Sequence, residues 1–135
     1  MVAYSFKKQF GPPIMAGTKA QTIRADRKRH ARPGEELQLY TGMRTRQCRL
    51  IARVPCIAVY PCRLDFGLRM VFANDGWIRT DKDLDAFAVL DGFRSWDEMR
   101  VFWRAEHPDV SVFRGVLIRW TPLAPADALD IGAAA

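Results

Sequence analysis

Apolar side chains alternate with polar ones in several short stretches of this chain, which is the period of a half-buried β-strand. Val2 to Phe6, followed by two lysines, predicts a first strand. Ala20 to Ala25 is expected to be extended, and Leu37-Gln38-Leu39-Tyr40 predicts another strand, broken by Thr41-Gly42. From Cys48 to Val59 the residues Cys48, Leu50, Ala52 and Val54 share one face and Arg49, Ile51 and Arg53 the other, a long strand disturbed at Pro55. Leu68, Met70 and Phe72, and then Trp77 and Ile78, flank Asn74-Asp75-Gly76, a hairpin signal because Asp-Gly supplies the positive φ angles of a tight turn. Ser111 to Trp120, rich in Val, Ile and aromatic residues, predicts a last strand.

The period changes in three places. Gly11 to Gly17 reads as a brief helix with prolines in its first turn and a glycine at its end. Thr80 caps a helix whose apolar stripe is Leu84, Phe87 and Ala88 and which Gly92 ends. Ser95 with Glu98 three positions on is a capping box, opening a helix that buries Met99, Phe102 and Trp103 and stops at His107-Pro108. There is no repeat and no βαβ alternation, so the predicted class is α+β, mainly β. Short strands joined irregularly hide their edges most easily by closing, which predicts a small β-barrel of about six strands with two or three flanking short helices. Residues 1–120 form the expected domain, and the Pro- and Ala-rich residues 121–135 a loosely held tail.

Composition narrows the function classes. The chain has 135 residues, 49% of them hydrophobic and 27% charged, as in one soluble globular domain, and no apolar run nears the roughly 20 residues of a membrane helix. No membrane partner is expected. The N-terminus lacks the apolar segment and cleavage site of a secretory signal, so the expected compartment is the cytoplasm. Cys48, Cys56 and Cys62 are odd in number, form no CxxC, and have only His30 and His107 to complete a metal site. Partly buried thiols, with no metal and no cofactor, are the expectation. The net charge of +6 is uneven: residues 1–54 hold 12 Lys and Arg against 3 Asp and Glu, residues 55–135 hold 9 against 12. Such a basic half either favours an anionic partner, nucleic acid or nucleotide, or is a solvated face.

Within that half, Gly17-Thr18-Lys19-Ala20-Gln21-Thr22-Ile23-Arg24 sets one lysine apart behind a helix end. Lys19 is either a solvated cation beside the negative end of the helix dipole or a group that does chemistry. On an extended segment Thr22 and Arg24 share a face and Lys19, three before Thr22, points away, so a turn between Gly17 and Ala20 must rotate it back.

This motif, with the Leu37 to Tyr40 strand, Asp91-Gly92-Phe93 and Ser95-Trp96-Asp97-Glu98, resembles the ASCH domain family, relatives of the PUA domain, over roughly residues 4 to 120. The resemblance implies a PUA-like β-barrel with a cleft beside the motif and RNA or nucleobase ligands. Some small bacterial members are amidohydrolases that remove the acyl group from N4-acylated cytidine. Carried over to this chain, their working residues fall on Lys19, Thr22 and Asp91, with Arg24 binding substrate; the family's carboxylate is typically Glu, and Asp91 is shorter by one methylene. The chemistry gives these types a reason, because a Thr hydroxyl attacks an amide only when a neighbouring base takes its proton, and a lysine is that base only when neutral. Burial and the guanidinium of Arg24 both push its pKa down. The carboxylate then carries a proton to the leaving amine or holds the ring.

Tyr40, Arg44 and Arg46 form a second candidate, an aromatic for base stacking with two guanidiniums for phosphates, flanked by a rim of Arg27, Lys28, Arg29 and Arg32. Tyr40 and Arg46 resemble what is proposed for a ribonuclease branch of the same family. The expected partner is therefore a modified nucleoside or single-stranded RNA. Of the four tryptophans only Trp77, beside the hairpin turn, is expected to face a ligand.

Overall fold

The computed structural model describes residues 1–74 and 76–124. Seven strands, β1 (Val2–Phe6), β2 (Gln21–Arg24), β3 (Glu36–Thr41), β4 (Arg49–Asp65), β5 (Met70–Ala73), β6 (Gly76–Ile78) and β7 (Val112–Trp120), join α1 (Gly11–Ala16), α2 (Asp81–Leu90) and α3 (Trp96–Glu106). The fold is α+β and mainly sheet. Among the described residues no helix is long and apolar enough to cross a membrane.

One strand organises the sheet. Over Arg49 to Pro55, β4 pairs antiparallel with β3, and over Cys56 to Asp65 with β7; its last four residues also pair with β5, which pairs with β6. The exchange of partner falls where Pro55 has no N–H to give to a ladder. There the Cys56 amide donates to Glu35 O at 2.8 Å, and the Thr121 amide to Pro55 O at 3.2 Å. The strand expected to be disturbed at Pro55 therefore runs on to Asp65. Its expected faces shift too. An irregularity in register between Leu39 and Tyr40 leaves Leu50 38% exposed and buries Ile51 to 7%.

A five-stranded path, β1-β3-β4-β7-β2, leaves β1 and β2 at its two edges, and these do not pair. The sheet has seven strands rather than about six and is not closed into a barrel. Between the two edge strands, Lys7 to Ala20 folds into a 3-10 turn and α1, which Gly17 ends in the left-handed conformation. A side chain bridges the gap: Arg24 Nη2 on β2 donates to Ser5 O on β1 at 2.7 Å.

The helices form as expected, with one difference. Thr80 Oγ1 accepts from Asp83 N, and Ser95 Oγ from Glu98 N at 3.2 Å, but the Glu98 carboxylate turns to Arg94 Nε, so the capping box is made on one side only. Trp96 stacks on Phe66, Trp103 packs on Phe113, and the Trp96 amide ties α3 to Asp85 of α2 at 2.9 Å. Trp96, Trp103 and Trp120 are buried; Trp77 is 41% exposed. Cys56 and Cys62 are buried, whereas Cys48, expected to be partly buried, is exposed. Leu123 packs on the core, and the rest of the expected tail, residues 125–135, lies outside the described residues, as does Asp75 of the hairpin turn.

β2 is only four residues long and is held by β7 alone, so its position depends on how closely the two approach. A methyl group on Gly115 would lie 2.3 Å from the carbonyl oxygen of Arg24 and 2.6 Å from the Phe113 ring. Gly115→Ala is expected to destabilise the fold by about 1–3 kcal/mol, the usual cost of overpacking, and to displace Arg24. Thermal unfolding reads the first effect, and amide hydrogen exchange at Gln21 to Arg24 the second.

Candidate active site

The unpaired seam between β1 and β2 opens into a cavity of about 300 Å3, walled on its far side by α3. Lys19, Thr22, Arg24 and Asp91 all line it, together with Phe6, Phe10, Phe93 and Phe102. Thr22 and Arg24 share a face of β2 as the alternation requires, and Arg24 Nε donates to Thr22 Oγ1 at 2.9 Å. Lys19 arrives from another direction. The amides of Thr18 and Lys19 both bond Pro13 O, and the Ala20 amide bonds Leu90 O, so the chain turns between the end of α1 and the start of β2. That turn drives the side chain inward, to 3% exposure.

The amine of Lys19 donates to Gln21 O at 2.8 Å and to Asp91 O at 2.5 Å. Two rings lie close, with Phe6 and Phe10 centroids 5.3 and 4.9 Å from Nζ. Phe6 also lies 4.9 Å from Arg24 Cζ, so one ring borders both cations. Gly92 makes room for the stem: with φ at +100°, it brings its backbone where a Cβ would lie 2.8 Å from Lys19 Cδ and 2.9 Å from Phe10 Cδ1.

Burial dominates the electrostatics. It lowers Lys19 from 10.5 to about 8, with Arg24 pushing the same way and the negative charge of Asp91 opposing. Burial raises Asp91 from 3.8 to about 6, against Lys19, the Gln21 hydrogen bond and Arg24. The Arg24 guanidinium is also lowered by burial, and the Cys62 thiol is pushed up to about 12, chiefly by burial and then by Asp91. Cys62 is thus an inert thiol beneath the site.

Gln21 is the contributor that strand alternation hides. Completely buried, it donates from Nε2 to Asp91 Oδ1 at 3.4 Å and accepts on Oε1 from Arg119 Nε at 3.3 Å. Its only signal in the sequence is a polar amide between Lys19 and Thr22. Ser5 is equally silent, since it contributes a main-chain oxygen.

Tyr40, Arg44 and Arg46 do not join this constellation. None lines the cavity; Tyr40 is half-buried and donates to Gln38 Oε1 at 3.4 Å, while Arg44 and Arg46 are exposed in the turn after β3. A larger cavity of about 700 Å3 adjoins that turn, between α1 and β4, but no buried titratable side chain lines it. Among the described residues no cluster of His, Cys, Asp and Glu is arranged to hold a metal ion. Compared with protein-family models, curated proteins and solved structures, the chain finds no match in any of the three.

The two shifted groups give stability opposite slopes with pH. Asp91 is held above its unfolded value, so the folded chain binds more protons than the unfolded one from about pH 4 to 6 and loses stability as pH rises through that window. Lys19 is held below its unfolded value, so stability recovers as pH rises from about 8 to 10.5. Urea unfolding across pH is expected to lose the first slope in Asp91→Asn and the second in Lys19→Met, each relative to the unsubstituted chain.

Proposed function

We propose that this chain is an ASCH-type amidohydrolase that removes the acyl group from N4-acylated cytidine or cytosine. The observation that carries the reading is the burial of the Lys19 amine against two main-chain carbonyls. A buried amine donating to two carbonyls has used the two N–H bonds of its neutral form, and what is left is a lone pair. With a pKa lowered to about 8, that form is accessible near neutral pH.

In this mechanism Lys19 takes the proton of Thr22, whose oxygen attacks the acyl carbonyl. Arg24, already donating to Thr22 Oγ1, favours the developing alkoxide. Asp91, protonated at a higher pH than an ordinary carboxyl, gives its proton to N4 as the C–N bond breaks, releasing the cytosine amine and leaving an ester on Thr22. A water molecule then attacks the ester and gives a proton back to the Asp91 carboxylate, Thr22 recovers its proton from Lys19, and the acid departs. The phenylalanine walls suit a planar base, and the cavity volume suits a single nucleoside.

A second reading, a reader of modified nucleobases without turnover, is favoured by one feature: among the described residues no hydrogen bond joins Lys19 to the Thr22 hydroxyl, which accepts from Arg24. The absorbance of N4-acetylcytidine separates the two. The amidohydrolase converts it to cytidine, and Thr22→Ala and Lys19→Met each slow the reaction by about 10²- to 10⁴-fold while the variants stay folded. Its rate traces a bell between about pH 6 and 8, and Asp91→Asn leaves a single rise in place of the bell. Absence of conversion over hours, with binding that Thr22→Ala leaves intact, gives the site to the reader instead.

A further inference from the structure

The sheet carries a second arrangement, on its opposite face. Strand register places Phe113, Leu64, Val71 and Ile78 in one cross-strand row through β7, β4, β5 and β6, and this row turns inward, with Leu64 and Val71 fully buried. The next row, Arg114, Arg63, Phe72 and Trp77, must then point outward, because neighbouring residues on a strand face opposite ways. It spans three interstrand steps, about 14 Å.

Three features of this outer row bear on what it meets. Trp77, the most exposed tryptophan, has the guanidinium carbons of Arg63 and Arg79 at 4.8 and 5.2 Å from its ring and Phe72 packed edge-on at 5.1 Å. Arg29, Arg53, Arg69, Arg94 and Arg100 each lie 2.5 to 3.8 Å from a carboxylate, and the other arginines, Arg63, Arg79 and Arg114 included, do not among the described residues. Finally, the Arg63 Nε is buried with no hydrogen-bond partner. Guanidinium groups interleaved with flat rings on an open sheet match a flexible polyanion that also offers planar groups to stack.

We infer that the outer face of β7, β4, β5 and β6, centred on Trp77, binds single-stranded nucleic acid, with bases stacking on Trp77 and the Arg63 and Arg79 planes and phosphates meeting Arg114 and its neighbours. This site is separate from the Lys19 cavity and from the turn carrying Tyr40, Arg44 and Arg46, and it stands whether or not the cavity hydrolyses an amide.

Anisotropy of a short labelled oligouridylate, titrated with the full chain between about 50 and 200 mM salt, tests it. Trp77→Ala is expected to weaken binding about tenfold or more. Arg114→Gln is expected to lower the slope of log affinity against log salt by about 0.7. Arg79→Gln, at an exposed position, weakens binding without touching the core, and circular dichroism checks that each variant is folded. The inference is overturned if no saturable binding occurs at low salt, if Trp77→Ala binds as well as the unsubstituted chain, if heparin competes and Trp77→Ala leaves its binding unchanged, or if only changes at Tyr40, Arg44 and Arg46 abolish binding. Conversion of free N4-acetylcytidine by the same variants is a separate readout, so failure of one site is told apart from failure of the other.

Discussion

A primary amine held inside the protein between two main-chain carbonyls is the constraint from which the site follows. Desolvation disfavours its charge, so the surroundings must supply hydrogen-bond acceptors without supplying a full counter-ion. The carbonyls of Gln21 and Asp91 do this. Asp91 meets the amine through its backbone oxygen, while its carboxyl group is held by Gln21. Each group of the pair is therefore biased toward neutrality by burial, and each resists the other's drift. Phe6 and Phe10 keep the solvent away, and the bare backbone of Gly92 leaves the lysine stem its path.

The gap in the sheet is the second determinant. A barrel closed between β1 and β2 would spend the edge of β1 on ladder hydrogen bonds; left open, that edge offers Ser5 O to Arg24. Arg24 thereby links the strands, orients Thr22 and raises the local positive potential on Lys19 in one side chain. Structural closure and site electrostatics are carried by the same residue, which ties any loosening of the seam to a change in the chemistry within it.

Much of this was legible from pattern alone. Helix caps at Thr80 and Ser95, the glycine end of α1, and the shared face of Thr22 and Arg24 follow from local chemistry acting within a few residues. The kink that returns Lys19 to the cavity follows from counting positions on an extended strand. What escaped prediction depends on partners distant in sequence. β4 outlasts Pro55 because it exchanges β3 for β7 there, and no local signal in the sequence announces a second partner. The barrel fails to close because β1 and β2 do not pair, which a strand count does not reveal. Gln21 sits on the face opposite Thr22, and its role depends on Asp91 and Arg119, each at least 70 positions away. The grouping of Tyr40 with Arg44 and Arg46 rested on nearness in sequence, and the turn after β3 carries both arginines away from the cavity.

The pairing of β2 with β7 also orders events during synthesis. Among the described residues β2 has one strand partner, and that partner, β7, follows every other described strand in the chain. β1, β3 and the first half of β4 can pair early, but Thr22 and Arg24 have no ladder to fix them until residues 116 to 119 emerge. The nascent chain thus carries Lys19 and Thr22 through most of β1 to β6 without holding them in register, and the geometry of the cavity waits on β7.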